Sequence, residues 1–142
     1  MKLSTRGRYA TRAMCDLAMH FGKGPIMVKD ISKRQYISER YLEQILTPLK
    51  LAGLVRATRG SRGGFALARP PSAITLLDII YTVEGSTAPV ECVDDAQVCP
   101  LSDSCAGREV WSEIKRVTDK VLESTTLQHL LEKQKRINAK QR

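Results

Sequence analysis

Three cysteines stand close together in the segment ECVDDAQVCPLSDSC, which spans residues 91–105. Cys92, Cys99 and Cys105 are separated by six and five residues, and the segment carries four acids but no Lys or Arg. Three thiolates on one loop suit an iron–sulfur cluster or a zinc ion, although the C-x-x-C pair of the common zinc patterns is absent. The alternative is three incidental cysteines in a solvated loop. We therefore treat the segment as a candidate metal or redox site.

The other residues with reactive side chains point less clearly to chemistry. The acids of the segment either solubilise it or supply further metal ligands: Glu91, Asp94, Asp95 and Asp103. Cys15 lies beside Met14 in a helical pattern and is expected to pack as a small apolar residue. His20 and His129 are isolated, and the sequence has no phosphate-binding loop ahead of a helix, so we predict no enzymatic activity.

The positive charge of the chain is confined to its first part. The net charge of the 142 residues is +8, with 14 Lys/Arg and 6 Asp/Glu in residues 1–85 and 9 of each in residues 86–142. This excess predicts a polyanionic partner for the first part, most often nucleic acid and less often an anionic membrane. No apolar run reaches the roughly 18 residues of a membrane span, and MKLSTRGRYA lacks a secretory apolar stretch. We therefore expect a cytoplasmic protein with reduced thiols.

An amphipathic helix is predicted over residues 4–21, with Ser4 or Thr5 as its cap. Its opposite face carries Arg6, Arg8 and Arg12, which suit either solvent or a DNA backbone. The apolar positions recur at three- and four-residue spacing and form one buried stripe: Tyr9, Ala10, Ala13, Met14, Leu17, Ala18 and Phe21.

Two more helices are predicted to follow. The first covers Val28–Gln35, and the second begins after Ser38, with Ile37 packing on Leu42 as a hydrophobic staple. Pro48 is expected to kink or shorten this third helix. Its buried stripe is Leu42, Ile45, Leu46 and Leu49, and its outward residues are Arg40, Glu43, Gln44 and Thr47.

A basic hairpin is predicted next, with strands over Leu54–Thr58 and Phe65–Ala68 joined by RGSRGG. Three helices followed by such a hairpin describe a winged helix-turn-helix, in which the third helix enters the major groove of DNA. Arg40 suits guanine, Gln44 suits adenine and Glu43 can accept from cytosine; the alternative is that they only solubilise the helix. We expect Gly60, Gly63 and Gly64 to allow close approach to DNA. The candidate DNA contacts are Ser38, Arg40, Tyr41, Glu43, Gln44, Arg59, Gly60 and Arg62.

The sequence after the hairpin predicts further helices, one of which is expected to mediate dimerisation. Thr75 and Asp78 match a capping box for a helix that ends at Gly85. A long helix is expected from about Arg108 to Ser124, then a short one over Leu127–Lys135 capped by Thr125 or Thr126, and a frayed tail. Pairing of two long helices in a twofold dimer would match a pseudo-palindromic operator, and the alternative is folding back on the same chain. The apolar stripe of the long helix is Val110, Trp111, Ile114, Val117, Val121 and Leu122.

The predicted fold is mainly α with a small β-hairpin wing. Residues 1–85 form the winged helix-turn-helix domain, residues 86–106 the cysteine-bearing cluster-binding loop, and residues 107–142 the dimerisation helix and tail. This organisation depends on two observations. The long helix has an apolar stripe that the winged domain does not need for its own core, and the excess positive charge lies in residues 1–85.

The sequence resembles the IscR-like family of bacterial winged-helix transcription regulators, which are small dimeric iron–sulfur cluster repressors and activators. The resemblance is carried by MKLSTRGRYA, by ISERYLEQIL and LKLAGLV, by RGSRGGFALARPPSAITLLDIIYTVEG, and by three cysteines ahead of Trp111. It implies a dimer in which Glu43 and Gln44 contact bases and Arg59 lies on the wing. It also implies that the three cysteines ligate a cluster, usually 2Fe–2S, whose state sets DNA binding.

Two departures from the family pattern concern the cluster. Arg108 stands where the family has a histidine ligand, and arginine cannot bind iron. The first cysteine interval is one residue longer. The fourth ligand is then an acid such as Glu109, a side chain from the partner's first helix, or a small exogenous molecule. The alternatives are a cluster-free or zinc-bound regulator of cysteine or sulfur metabolism controlled by thiol oxidation or a partner enzyme, a 4Fe–4S nitric-oxide sensor, and an electron carrier.

Overall fold

The computed structural model describes residues 2–141 as a mainly helical chain with one two-stranded hairpin, which confirms the predicted fold class. The helices are α1 (Thr5–Met19), α2 (Val28–Gln35), α3 (Glu39–Leu51), α4 (Leu76–Val83), α5 (Glu91–Asp94), α6 (Ala106–Glu123) and α7 (Leu127–Lys140). The strands are β1 (Val55–Thr58) and β2 (Gly64–Leu67). No helix within residues 2–141 is long and apolar enough to cross a membrane.

Short polar side chains begin the helices where the sequence predicts them. Ser4 caps α1 and Ser38 caps α3, each hydroxyl accepting a backbone N–H, at 3.0 and 3.1 Å. Thr75 and Asp78 form the predicted capping box of α4, with distances of 3.1 and 2.9 Å. Thr126 caps α7. These bonds satisfy N–H groups that have no partner in the first helical turn.

The core is aliphatic and is built where α1, α3, α4 and α7 meet the hairpin. The predicted apolar stripe of α3 is fully buried, and Ile37 ahead of it is 3% exposed. Phe21 does not join the core as predicted, because α1 ends at Met19 and leaves Phe21 44% exposed. Pro48 does not shorten α3, which continues to Leu51.

The wing is an antiparallel hairpin supported by a third backbone segment. Val55 lies opposite Leu67 and Thr58 opposite Gly64. The segment before α2 pairs with β2, since Ile26 exchanges two backbone hydrogen bonds with Phe65, at 2.7 and 2.8 Å. The hairpin is therefore attached to the helix-turn-helix and does not project alone.

Two wing glycines are required by the protein itself. A Cβ on Gly63 would lie 2.1 Å from the Thr58 carbonyl oxygen, and one on Gly64 would lie 2.2 Å from the Ile26 carbonyl oxygen. By contrast, a Cβ on Gly60 would meet no atom within 4 Å. Glycine at positions 63 and 64 is thus required by contacts within the chain, and the predicted close approach to DNA stays a prediction.

The second half of the chain is more ordered than predicted. The expected loop contains α5 and two 3₁₀ turns, Ala96–Val98 and Ser102–Ser104. α6 begins at Ala106 because Cys105 caps it. α7 extends to Lys140, so the prediction of a frayed tail is wrong up to that residue, and Arg142 lies outside the described residues.

Candidate DNA-binding face and cysteine loop

The exposed side of α3 carries the residues predicted to contact bases. Arg40, Glu43 and Gln44 are all exposed, opposite the buried stripe of the same helix. The Ser38 hydroxyl accepts the Tyr41 N–H, which leaves its own O–H free to donate outward. The structure thus brings these side chains together on one open face.

An aromatic and arginine cluster joins α1 to this face. The Tyr9 and Tyr41 rings meet edge to face, with centroids 5.5 Å apart and an interplanar angle of 81°. The guanidinium carbons of Arg8 and Arg12 lie 5.7 and 5.2 Å from the Tyr9 centroid. Such contacts orient arginines without neutralising their charge. Tyr9, which we assigned to the core stripe, is half-buried and positions the basic face of α1.

A groove between α1 and α3 adds Arg6 to the candidate interface. Arg6, Tyr41, Gln44 and Pro48 line the same open groove. At the wing, Arg59, Gly60 and Arg62 are all exposed at the hairpin tip, as the sequence predicts. The positive charge of the first domain is therefore displayed along α1, α3 and the wing.

A buried carboxylate fixes α2 against α1. Asp16 is 1% exposed, and Arg34 donates to both of its oxygens, at 2.9 and 2.8 Å. Gln35 donates a third hydrogen bond, at 3.0 Å. The hydrogen bond to Asp16 raises the pKa of Arg34 above its ordinary value. This pairing sets the angle at which α2, and hence the helix-turn-helix, leaves α1.

Arg108 closes the cysteine loop. Its guanidinium donates to the Cys92 carbonyl, at 2.8 Å, and to the Ser102 carbonyl, at 3.3 Å. Its backbone N–H approaches the Cys105 Sγ, at 3.4 Å, in the capping contact of α6. The residue at the family's histidine position therefore ties the first cysteine to the turn before the third.

The loop thiols fit an iron–sulfur cluster in kind but are not assembled around one. All four cysteines of the chain are free; Cys92 and Cys99 are half-buried and Cys105 is exposed. Among the side chains of residues 2–141, no three His, Cys, Asp or Glu groups are close enough to hold a metal ion. Three thiols suit three positions of a four-ligand cluster, and Arg108 cannot supply the fourth.

Cys15 is a packing residue, as predicted. It lies against the core, and burial, with a smaller contribution from the negative charge of Asp16, raises its pKa to about 11. A thiol held in its neutral form is a poor nucleophile and a poor metal ligand. The candidate ligands are therefore the three cysteines of the loop.

A polar network that we did not predict connects the loop to the winged domain. Lys115 on α6 lies 3.3 Å from the Asp94 carboxylate and 3.9 Å from that of Asp119. Asp119 also accepts the Tyr81 hydroxyl of α4, at 2.9 Å, and the Thr87 hydroxyl. Hydrogen bonds from Ser86 and then from Lys115 lower the pKa of Asp94. The spacing of Lys115 and Asp119 along a helix is the only signal in the sequence.

This network makes a continuous path from the cysteines to the DNA-binding face. The loop is tied to α6, α6 is tied to α4 through Asp119 and Tyr81, and α4 packs against both α1 and α3. The loop and α3 are therefore connected by direct packing and hydrogen bonds through α6 and α4.

The sequence model of the Rrf2 family, described as an iron-dependent transcriptional regulator, matches residues 3–133. The chain belongs to the Rrf2 family. Its members among the relatives are transcriptional regulators, and the resemblance to the IscR-like family is confirmed.

Three relatives of this Rrf2 protein illustrate its range of sequence similarity within the family. The regulator CymR of Bacillus subtilis is 44% identical over 92% of this chain and 89% of the relative. The protein rrf2 of Nitratidesulfovibrio vulgaris is 40% identical over 92% and 87%. The regulator IscR of Photorhabdus laumondii is 36% identical over 94% and 81%.

Solved structures show the same fold. CymR, described as the global cysteine regulator of B. subtilis, has a TM-score of 0.78 and 42% identity, covering 93% of this chain and 97% of that one. T. potens IscR also has a TM-score of 0.78, with 41% identity over 94% and 88%. The two relatives are therefore equally similar to this chain in fold.

Proposed function

We propose that this Rrf2 protein is a dimeric, DNA-binding transcription regulator whose DNA affinity is set by an iron–sulfur cluster on the cysteine loop. The observation that carries the proposal is the connection of the loop to the winged domain. Arg108 and Lys115 bind the loop to α6, and the hydrogen bond between Tyr81 and Asp119 binds α6 to α4.

DNA binding is assigned to residues 1–85. Arg40, Glu43 and Gln44 read base edges in the major groove, because they form the one open face of a capped helix whose other face is buried. Arg59 and Arg62 enter the minor groove beside Gly60. Ser38 and Tyr41 contact phosphates at the start of α3.

Dimerisation is assigned to residues 107–142. α6 has no buried residue in the single chain, although Val110, Val117 and Val121 recur along one stripe and are 54%, 45% and 59% exposed. An apolar stripe of that length needs a partner surface. A second copy, with α6 packed against α6, would place two recognition helices on one pseudo-palindromic operator.

Effector binding is assigned to residues 86–106. Cys92, Cys99 and Cys105 would hold a 2Fe–2S cluster as thiolates, and a bound cluster would supply iron–thiolate bonds that break on oxidation or iron loss. Arg108 and Lys115 hold the loop backbone and Asp94 against α6. Ligation would join the three thiols through the cluster and its loss would release them, so the two states would favour different loop conformations.

A second candidate function is a cluster-free or zinc-bound regulator of cysteine or sulfur metabolism, controlled by thiol oxidation or by a partner enzyme. It is favoured by Arg108, which stands at the family's histidine position and cannot bind iron. The similarity to CymR supports this candidate as much as the similarity to IscR supports the first one.

Iron and acid-labile sulfide, counted on protein purified without air, separate the candidates. The proposal predicts a coloured protein with about two iron and two sulfide per chain. Substitution of Cys92, Cys99 or Cys105 with Ala should abolish both, whereas Cys15→Ala should retain them. About four of each per chain would indicate the 4Fe–4S nitric-oxide sensor. A colourless protein that cannot be reconstituted would contradict the cluster and leave the second candidate.

A further inference from the structure

Tyr36 occupies the turn between α2 and α3 in a conformation that tyrosine rarely adopts. Its φ of 56° and ψ of 45° lie in the left-handed region, and within residues 2–141 it is the one residue other than glycine with a positive φ. The Cβ of an L-residue is crowded by the backbone in this region, so glycine is the usual occupant. The turn therefore carries backbone strain.

The fold requires this backbone conformation but not a tyrosine. Tyr36 ends α2 with its N–H directed to the Ser32 carbonyl, and the Ser32 hydroxyl donates to the Ile37 carbonyl, at 2.6 Å. Ile37 then enters the core at 3% exposure. Glycine would make the same backbone bonds with less strain.

The side chain of Tyr36 is 89% exposed, more than any other large apolar side chain of residues 2–141. The hydrogen bond by which Tyr36 ends α2 is made by its backbone N–H and not by its hydroxyl group. Backbone strain at an exposed residue, with no visible stabilisation of the fold by its side chain, is the pattern expected of a residue that binds a partner.

The surroundings of Tyr36 suit a DNA-backbone contact, although Arg34 is itself paired with Asp16. Lys33 and Arg34 precede it in the last turn of α2, and Ser38, the cap of α3, follows two residues later. In a helix-turn-helix, the recognition helix enters the major groove by its N-terminal end while the preceding helix crosses the backbone. The turn that joins them therefore lies beside phosphates.

We propose that Tyr36 is a DNA-backbone contact, with its phenolic O–H donating to a phosphate oxygen at the edge of the major groove. The inference rests on the proposed DNA-binding function and adds to it a residue outside the predicted contact set. The left-handed backbone, which the fold requires in any case, leaves the tyrosine side chain exposed.

The test uses wild-type protein to enrich DNA duplexes from a random-sequence library, and then compares variants on the enriched duplex over a range of salt. Tyr36→Phe should raise Kd about fivefold through loss of one hydrogen bond. Tyr36→Gly should raise Kd at least as much while raising Tm, because it relieves the strain. Neither should change the salt dependence of Kd, since tyrosine is uncharged, whereas Arg40→Ala should reduce it. Leu51→Ala is the control, because Leu51 lies at the other end of α3 and is 84% exposed; it should change neither Kd nor the salt dependence of Kd.

A Tyr36→Gly variant that is more stable and binds the duplex as tightly as wild type would overturn the proposal and assign the side chain to a partner other than DNA. Wild-type binding by Tyr36→Phe would overturn the phosphate hydrogen bond. Failure of the proposed DNA-binding function would give a different result from failure of the Tyr36 contact alone. In that case the wild-type protein itself would enrich no duplex, and both the function and the Tyr36 contact would be contradicted.

Discussion

The guanidinium of Arg108 donates a hydrogen bond to the backbone carbonyl of Cys92, at 2.8 Å. The first cysteine of the loop is thus held by a side chain that follows the third cysteine by three residues. A residue that cannot bind iron shapes the segment that would bind it, and this arrangement leads to the first prediction.

Replacing Arg108 should change how firmly the loop retains iron. Arg108→His places an imidazole at the family's ligand position, so the variant should lose iron to a chelator more slowly than wild type. Arg108→Ala removes both carbonyl contacts and should lose iron faster. The loss is followed by visible absorbance without air. Equal rates for the His and Ala variants would show that position 108 lies outside the ligand sphere.

The buried pair of Asp16 and Arg34 should be a major contributor to stability. Asp16→Asn removes the negative charge that pairs with Arg34. We expect the free energy of unfolding to fall by about 2–3 kcal/mol, because Asp16 is buried whereas Arg34 is partly exposed to solvent. The measurement is urea denaturation. Asp94→Asn is the matched control, because its pair with Lys115 is more exposed and the change should stay within about 0.5 kcal/mol.

Gly63 should be essential for the wing. A Cβ at that position meets the Thr58 carbonyl oxygen, so Gly63→Ala must shift the hairpin and displace Arg59 and Arg62. DNA affinity should fall about tenfold or more through the loss of charge-assisted contacts. Ser61→Ala, at an exposed position of the same tip, is the control and should bind normally. Similar Kd values for the two variants would argue against a wing contact.

The exposed stripe of α6 should mediate dimerisation. Val117→Lys places a charge in that stripe and should shift the protein toward monomer in sedimentation velocity. Val98→Lys makes the same change at a loop position of similar exposure, 50% against 45%, and should remain dimeric. A dimeric Val117→Lys variant would indicate that another surface pairs the chains.

The four cysteines should divide into one inert and three reactive thiols. With a pKa of about 11, only about one in a thousand Cys15 side chains is ionised at pH 8, and the residue is also packed against the core. Iodoacetamide applied to metal-free protein at pH 8 should therefore alkylate the loop cysteines first, as read by mass spectrometry of peptides. Alkylation of Cys15 at the same rate would mean that α1 opens readily.

Local features could be predicted from the sequence, whereas contacts between distant segments could not. Ser38 and Thr75 are recognisable as caps because each directly precedes an apolar helical pattern. Gly63 is constrained by Thr58, across the hairpin, and Asp16 is paired with Arg34 on another helix; neither partner is indicated by spacing. Phe21 was misassigned because the helical period continued past the point where α1 ends.

More of the candidate DNA-binding face than of the cysteine loop could be predicted from the sequence. The outward set on α3 follows from helical geometry once the buried stripe is known. The cysteines were identified by type and spacing, but the role of Arg108 depends on turns between Asp95 and Cys105 that carry no strong local signal. The same holds for Tyr36, whose unusual conformation is invisible in the sequence.

The measurement that tests the central claim most directly is the DNA affinity of one protein preparation with and without its cluster. Protein purified without air is divided, half is stripped of iron by a chelator, and both halves are titrated against the duplex enriched by each form. We predict Kd values that differ about tenfold or more for at least one duplex, since a coupling of this size is typical of an effector. Equal affinities of the two forms for every duplex would contradict control by the cysteine loop.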